Sequence, residues 1–203
     1  MAIEKDFFRQ VMGHFATGVT VVTTNNHGEL AGLTVNAFCS VSLDPPLVLV
    51  CVDLSSTTLS HMRDSGIFAV NILTDKQEEL SSCFATSSSE RYENFCYAEH
   101  HVATTGAPII DGALAFIDAR IVAEYPGGDH VIFLGQVEAI GTTDYVAFAN
   151  GAASEHATVV ANVDTLSADL DQQPLAYYRG QYRHLTTAYR KPSLSTEYDK
   201  NLK

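Results

Sequence analysis

The stretch AGLTVNAFCSVSLDPPLVLV, residues 31–50, predicts two strands separated by a break. Asp44-Pro45-Pro46 predicts the end of one strand before the next begins, because proline cannot donate a hydrogen bond to a strand ladder. The residues before the break predict one strand, Glu29–Val41. The apolar run LVLVCV after the break predicts a second, buried strand. The stretch therefore belongs to a sheet.

Polar side chains interrupt the first of these strands where a core strand would carry Val or Ile: Thr34, Asn36, Ser40 and Ser42. Because side chains alternate along a strand, Thr34 and Asn36 share one face. That face is either the solvated side of an antiparallel sheet or a set of donors and acceptors for a flat polar ring. These four residues alone leave both interpretations open.

The rest of the chain predicts many short strands with a few helices. Helices are expected at residues 5–15, after an N-cap at Ser55 or Ser56 and up to Gly66, and from a capping box that begins at Thr74 or Asp75. Further strands are expected in VTVVTT, IFAVNIL, APIIDGALAFIDARIVAEY, VIFLGQVEAIG and, as an edge strand, PLAYYRGQYRHL. This order lacks a regular βαβ alternation. It predicts a mainly β fold with flanking helices, a Greek-key or split β-barrel.

Length and composition indicate one globular domain. The chain has 203 residues, of which 46% are hydrophobic and 18% charged, with no linker that would divide it. We expect a single domain over residues 1–188, with an insertion at about 142–173 and a disordered tail at 189–203. The net charge of −12 argues against a nucleic-acid partner. No signal peptide or membrane-spanning segment is recognisable, so we expect a cytoplasmic protein.

The sequence offers little to a nucleophile or a protein-bound metal. The four cysteines, Cys39, Cys51, Cys83 and Cys96, form no CxxC pair and are expected to be reduced thiols. There is no GxGxxG, Walker, HExxH or GxSxG motif, and the eight histidines are scattered. Catalysis of a difficult reaction in such a fold would therefore depend on a bound organic cofactor.

A run of hydroxyl side chains follows the buried strand that ends at Asp53: Ser55, Ser56, Thr57 and Thr58. At a helix start such residues can help to bind a phosphate, since free N–H groups and the helix dipole both favour an anion. Plain N-capping would need only one of them. The run leaves these two interpretations about equally open.

Several ordered motifs together resemble the short-chain flavin reductases, the reductase components of two-component flavin-dependent monooxygenases. They cover about residues 7–141 and 174–184 and comprise TGVTVVTT, AGLTVNAFCSVSLDPPLVLVCVD, FAVNIL, GAPIIDGALAFIDARIVAEYPGGDHVIFLGQV and PLAYYRGQYR. The resemblance implies an FMN-binding split barrel that forms a homodimer. It also implies an NAD(P)H:flavin oxidoreductase that uses NADH or NADPH to reduce FMN or FAD. The reduced flavin would pass to a separate monooxygenase.

The resemblance also implies roles for individual residues. One strand would lie along the flavin ring, and it contributes Thr34, Val35, Asn36 and Ala37. The next segment would take the ribityl chain and phosphate, through Val52, Asp53, Ser55, Ser56, Thr57 and Thr58. Additional flavin contacts would come from Phe84, Ala85 and Arg91. His130 would lie near the nicotinamide, with Tyr178 and Tyr182 lining the same cleft. On the residues alone, without the resemblance, His130 would instead be a turn histidine that hydrogen-bonds Asp129.

Three other classes of function are alternatives for this chain. A split-barrel oxidase of the pyridoxamine-phosphate-oxidase type would retain FMN, but it would carry a basic cluster, and the 12 Lys and Arg residues here form none. A non-enzymatic flavin-binding or storage protein would bind flavin without NADH turnover. A structural β-barrel would leave the hydroxyls at residues 55–58 without a role.

Overall fold

The structure is a computed structural model, and it describes residues 3–142, 146–149 and 173–185. The four helices in these ranges are α1 (Lys5–Met12), α2 (Thr58–Ser65), α3 (Glu78–Ala85) and α4 (Ser89–Tyr92). The strands are β1 (Thr17–Gly18), β2 (Thr20–Asn26), β3 (Glu29–Val35), β4 (Phe38–Leu43), β5 (Pro46–Asp53), β6 (Ile67–Ile72), β7 (His100–Val102), β8 (Pro108–Ile110), β9 (Ala115–Gly127), β10 (His130–Thr142), β11 (Val146–Phe148), β12 (Leu175–Tyr178) and β13 (Gln181–His184). The predicted mainly β architecture with flanking helices is confirmed.

The main sheet is antiparallel throughout and has eight strands. Its order is β3-β2-β6-β9-β10-β5-β4, with β11 paired to β10. The two longest strands, β9 and β10, form a hairpin around the predicted tight turn, and His130 pairs with Gly127 on one side and Asp53 on the other. This register places the carboxyl end of β5 beside the start of β10.

The main core lies between the inner faces of this sheet and helix α2. Fully buried members include Val50, Phe68 and Phe133, with Met62 from the helix. Gly135 on β10 gives Phe68 its space, since a Cβ there would lie 2.5 Å from the end of the ring. The apolar residues of the predicted strands therefore supply the core, as the sequence pattern indicates.

The strand predicted for residues 29–41 is in fact two strands. The chain leaves β3 after Val35 and enters β4 at Phe38, so that Asn36 and Ala37 form an exposed break between them. The Ala37 carbonyl accepts a hydrogen bond from the Cys51 N–H at 3.0 Å, which ties the break to β5. A register shift between Ser40 and Ser42 then bends β4. The prediction of one continuous face through Thr34 and Asn36 was wrong.

The C-terminal motif forms a hairpin rather than one edge strand. Arg179 and Gly180 have φ values of 53° and 75°, the left-handed conformation that a two-residue hairpin turn requires. The resulting strands β12 and β13 join β1 in a separate three-stranded sheet. Backbone bonds from Val19 to Leu175 and from Leu175 to Leu73 attach this small sheet to the main one.

Two predicted helix boundaries also differ from the structure. Helix α1 ends at Met12, before the predicted residue 15, and Gly13 is its C-cap. Helix α2 begins at Thr58 with Thr57 in the cap position, so neither Ser55 nor Ser56 is the N-cap. Asp53 is the reason, because its carboxylate accepts bonds from the Ser55 N–H and hydroxyl, both at 2.7 Å, and forms a turn before the helix.

Two other boundaries are confirmed. Gly66 ends α2 in the left-handed conformation, with a φ of 69°. Gln77 Oε1 accepts from the Thr74 N–H at 3.1 Å, as the capping box predicts. Most of the expected insertion at 142–173 and all of the expected tail at 189–203 lie outside the described residues.

The cysteine prediction was wrong for one pair. Cys83 at the end of α3 and Cys96 after α4 form a disulfide, with their Cα atoms 6.0 Å apart. Cys39 and Cys51 are free thiols. The spacing along the sequence could not reveal the pair, because the fold of residues 84–95 brings the two together. None of the described helices is long and apolar enough to cross a membrane.

Candidate functional site

A cleft opens where β3, β5, α3 and α4 meet. A cavity of about 250 Å³ lies at one end, and its walls include Leu33, Thr34, Asp53, Ser55, Ser56, Thr57, Phe84, Ala85, Ser87, Arg91 and Tyr92. A second cavity of about 210 Å³ shares Thr34 and Ala85 with the first and is completed by Val19, Asn36, Tyr177 and Tyr182. The two cavities form one cleft, which brings together most of the residues predicted for flavin binding.

Arg91 is the central charge of the first cavity. Its side chain comes from α4 and is buried, with 8% of the residue exposed. Its Nε donates to the Gly32 carbonyl at 2.9 Å, and its Nη2 donates to Thr58 Oγ1 at 3.3 Å. No carboxylate in the described ranges pairs with this guanidinium. Burial lowers the pKa of Arg91, although the group remains a cation at neutral pH.

The four predicted hydroxyls differ in their surroundings, and Thr57 lines the cavity from the cap position of α2. Ser55 donates to Asp53 at 2.7 Å, and Thr58 donates to the Gly32 carbonyl at 3.3 Å. Ser56 Oγ is buried and has no partner within the part of the chain that the structure describes. A buried cation without a carboxylate and a buried hydroxyl without a partner, in one cavity, are what an anionic group such as a phosphate would satisfy.

Gly32 is a site residue that the sequence interpretation missed. Its carbonyl accepts from both Arg91 and Thr58, so it fixes the two polar side chains from one point. A Cβ at Gly32 would lie 2.7 Å from the Phe84 ring, which therefore packs directly on the strand. A glycine inside a predicted strand is the signal that could have indicated this close approach.

Asp53 brings a negative charge to the wall of the same cavity. The Ser55 N–H, and then the Ser55 hydroxyl, lower the pKa of this exposed carboxyl by hydrogen bonding, and His130 lowers it further by its charge. His130 lies across from Asp53 in the register, and its Nδ1 is 2.8 Å from Asp129 Oδ1. The structure therefore places His130 beside Asp53, bonded to its neighbour in the turn and outside the walls of both cavities.

The polar residues of the opening stretch divide into two groups. Thr34 donates to the Ser81 carbonyl at 2.6 Å, so its hydroxyl is already used within the fold. Asn36 and Ala37 are exposed at the break after β3, and Asn36 lines the second cavity. Val35 and Val52 are buried in the main core and line neither cavity. Thr34 and Asn36 both line the cleft, and Thr34 is the one whose hydroxyl is already used within the fold.

Aromatic residues close the second cavity. The Tyr182 hydroxyl lies 2.8 Å from Ser81 Oγ, and its ring meets Tyr177 edge-on at 5.6 Å. Tyr178 points away from Tyr177, since strand side chains alternate, and its ring lies edge-on to His14 at 6.4 Å. The structure therefore brings Tyr177, which the sequence interpretation did not name, to the cleft beside Tyr182.

Phe84 and Ala85 differ in what they present to the cleft. The Phe84 side chain is fully buried and packs edge-on against Phe95 at 5.1 Å. Ala85 lines both cavities. Phe84 therefore supports the floor of the cleft from below.

Known proteins resemble this chain over most of its length. The flavin reductase like domain family matches residues 12–186. The reductase subunit HsaB of a flavin-dependent monooxygenase from Mycobacterium tuberculosis is 32% identical over 180 residues, which are 89% of this chain and 82% of that protein. An NADH-dependent flavin reductase from a Rhodococcus species is 37% identical over 139 residues, which are 67% of this chain and 76% of that protein.

A solved structure agrees with these sequence relatives. It is an NADH:FAD oxidoreductase from Streptomyces globisporus in complex with NAD and FAD fragments. It is 30% identical to this chain, and the TM-score is 0.73. The alignment covers 92% of this chain and 96% of the other.

Proposed function

This chain belongs to the flavin reductase like domain family, and from that premise we propose that it transfers a hydride from NADH or NADPH to FMN or FAD. It acts as the reductase component that supplies reduced flavin to a separate monooxygenase. Relatives that are named reductase subunits and NADH-dependent flavin reductases support this activity. The split-barrel fold expected from the sequence agrees with the solved oxidoreductase.

Within this chain, the proposal is supported most directly by the end of the cleft that contains Arg91 and Ser56. Buried Arg91 has no carboxylate partner among the described residues, and buried Ser56 Oγ has no hydrogen-bond partner there. Both would be satisfied by a flavin phosphate, which brings charge and acceptor oxygens. We therefore assign the phosphate to this end and the ring to the end with Asn36 and Tyr182.

The residues of the chain position and stabilise, while the flavin, when bound, supplies the hydride-accepting chemistry. Arg91 holds the phosphate and is itself fixed by the Gly32 carbonyl. The exposed break at Asn36 and Ala37 leaves the backbone and one amide open to a flat ring. Tyr177 and Tyr182 close the far side of the ring end and limit access of water.

His130 is proposed to position the nicotinamide at the mouth of the cleft. Its ring is partly exposed, and the bond from Nδ1 to Asp129 fixes its orientation. With Nδ1 bonded to Asp129, the other ring nitrogen remains to contact a substrate amide. His130 is assigned to positioning, because hydride transfer needs no proton from it.

The homodimer and the cytoplasmic location are also parts of the proposal. The exposed apolar residues of α1 support a dimer, because no residue of this helix is buried within the chain. The need for NADH or NADPH supports a cytoplasmic location.

The test of the activity is oxidation of NADH by the purified protein without flavin, with FMN and with FAD, followed by the same series with NADPH. Turnover that depends on added flavin is the expected result. A protein that binds flavin but gives no turnover with either donor would instead be an FMN-retaining oxidase or a storage protein.

The test of the site is the Arg91→Met variant. We expect its Kd for FMN to rise about tenfold or more, because a charge-assisted hydrogen bond is lost, while its Kd for riboflavin stays within about twofold. Arg63→Met is the matched control, since Arg63 pairs with Glu124 at 3.1 Å and does not line the cleft. Equal FMN affinity in Arg91→Met and wild type would show that the flavin phosphate does not bind at this end of the cleft.

A further inference from the structure

We infer that the Cys83–Cys96 disulfide positions Arg91, so that the redox state of this pair sets the affinity of the cleft for the flavin phosphate. This inference rests on the proposed function, because it takes Arg91 as the phosphate-binding residue. It assigns a role to two cysteines that do not line the cleft themselves.

The disulfide closes the segment that carries Arg91. Cys83 lies in α3, two residues before Ala85 in the cleft wall, and Cys96 follows α4, with a sequence separation of 13. Helix α4 lies between them and holds Arg91. The bond therefore joins the fixed wall of the cleft to the far end of the segment that supplies its cation.

Helix α4 needs such support. It has only four residues, and a single turn is unstable on its own. Its N-terminus is capped by Ser88 Oγ, which accepts from the Arg91 N–H at 3.3 Å. Its other end is followed by a segment of unusual backbone conformation.

Three consecutive residues after α4, Phe95, Cys96 and Tyr97, have φ values of 49°, 53° and 53°. This left-handed conformation is unfavourable for residues with a side chain, and it persists only where the surroundings hold it. Phe95 is held by the core, where it packs against Phe84. Cys96 is held by the disulfide. Reduction would remove one of these two attachments and allow the end of α4 to relax.

The redox step is a thiol–disulfide exchange. A dithiol reductant attacks one sulfur, the Cys83–Cys96 bond breaks, and two protein thiols form as the dithiol becomes a disulfide. The reduced form holds Arg91 less firmly, so it binds a phosphate-bearing flavin less tightly. The ring end of the cleft contains no residue of α4, so riboflavin binding changes little.

The experiment compares affinities for FMN and riboflavin, which differ by the phosphate. The 203-residue chain is treated with dithiothreitol or left untreated, alkylated with iodoacetamide and desalted, and each Kd is measured by flavin fluorescence. We expect reduction to raise the Kd for FMN about tenfold and to leave the Kd for riboflavin within about twofold. The double variant Cys83→Ser/Cys96→Ser should reproduce the reduced form without treatment.

A matched control is available in the two free cysteines. Cys39→Ser/Cys51→Ser keeps the disulfide, so its FMN affinity should fall on reduction as in wild type. Four reactive thiols in the unreduced, denatured wild type, instead of two, would overturn the inference. So would an equal loss of FMN and riboflavin affinity on reduction, since that result would show a general loss of structure.

The same data separate this inference from the proposed function. If untreated wild type binds FMN no better than riboflavin, the phosphate site itself is wrong. If it prefers FMN and reduction leaves that preference unchanged, the phosphate site stands and the role of the disulfide is refuted.

Discussion

At the scale of single residues, Asp53 has two opposing effects on the cleft. Its carboxylate orders the turn before α2 by accepting two bonds from Ser55, and it adds a negative charge near the proposed phosphate site. Asp53→Asn retains the accepting oxygen and removes the charge. We therefore expect the Kd for FMN to fall about two- to threefold at low ionic strength, with a smaller change at high salt.

The control for this change is Asp129→Asn, which removes an acidic charge from the neighbouring turn without changing the cavity wall. Weaker FMN binding in Asp53→Asn would show that the charge itself is required.

The stability of the turn before α2 also depends on pH. The pKa of Asp53 is lowered in the folded protein, so its ionised form stabilises the turn at neutral pH. That stabilisation is lost as the pH falls through the folded-state pKa, below the ordinary value of 3.8.

His130 gives a second prediction at the residue scale. In His130→Ala we expect the kcat/KM for NADH to fall on the order of tenfold, because the nicotinamide loses a positioning contact. The Kd for flavin should stay within about twofold, because His130 lies beside Asp53 and lines neither cavity. His101→Ala is the control, since His101 pairs with Asp111 away from the cleft. Unaltered NADH oxidation in His130→Ala would remove this residue from the reaction.

At the scale of elements, two glycines determine how neighbouring elements pack. A Cβ at Gly32 would meet the Phe84 ring of α3, and a Cβ at Gly135 would meet Phe68 of β6. Both rings are fully buried and cannot move aside, so Gly32→Ala and Gly135→Ala should each lower the free energy of unfolding by about 1–3 kcal/mol. Only Gly32→Ala should also weaken the binding of FMN relative to that of riboflavin, because the Gly32 carbonyl accepts a hydrogen bond from Arg91.

Thermal denaturation and the two flavin affinities, measured on both variants, check this prediction. A loss of phosphate preference in Gly135→Ala as well would mean that general destabilisation, and not the position of Gly32, controls the site. Full stability in both variants would contradict the packing argument.

The elements also show what the sequence could predict. Strand cores such as VTVVTT and IFAVNIL were predictable, because β-branched and apolar residues mark buried strands. The break at Asn36 was not, since nothing local distinguishes a strand residue from a residue between two strands. The start of α2 at Thr58 depends on the side chain of Asp53, and the Cys83–Cys96 pair depends on the path of α4. Both follow from tertiary structure, which residue patterns do not specify.

At the scale of the whole molecule, the cleft joins segments that are distant along the chain: β3, the end of β5, the α3–α4 region and the C-terminal hairpin. The family resemblance, and not the residue patterns, predicted that these segments meet. The resemblance named Arg91, whose burial and missing carboxylate became visible only in the fold. It did not name Gly32 or Tyr177, because the first acts through its carbonyl and the second through the alternation of β12.

Helix α1 presents the clearest apolar surface among the described residues. Phe8, Met12 and Phe15 line a groove of about 350 Å³ against Tyr177, whereas Phe7 and Val11 lie on the adjoining stripe and are 61% and 52% exposed. Large apolar side chains this exposed are costly in a monomer, and burial against a second copy would remove them from water. We therefore place Phe7 and Val11 in the interface of the proposed homodimer.

Phe7→Glu tests this placement, because a carboxylate in an apolar interface would be desolvated without a partner. We expect wild type to show twice the mass of the chain by light scattering and Phe7→Glu to show one chain mass at the same concentration. Gln10→Glu is the matched control, since it adds the same charge to a polar position of α1 and should remain dimeric. If Phe7→Glu remains dimeric too, the interface lies elsewhere on the molecule. If wild type is itself a monomer, the homodimer is excluded. The apolar face of α1 would then be tested for binding to the monooxygenase component.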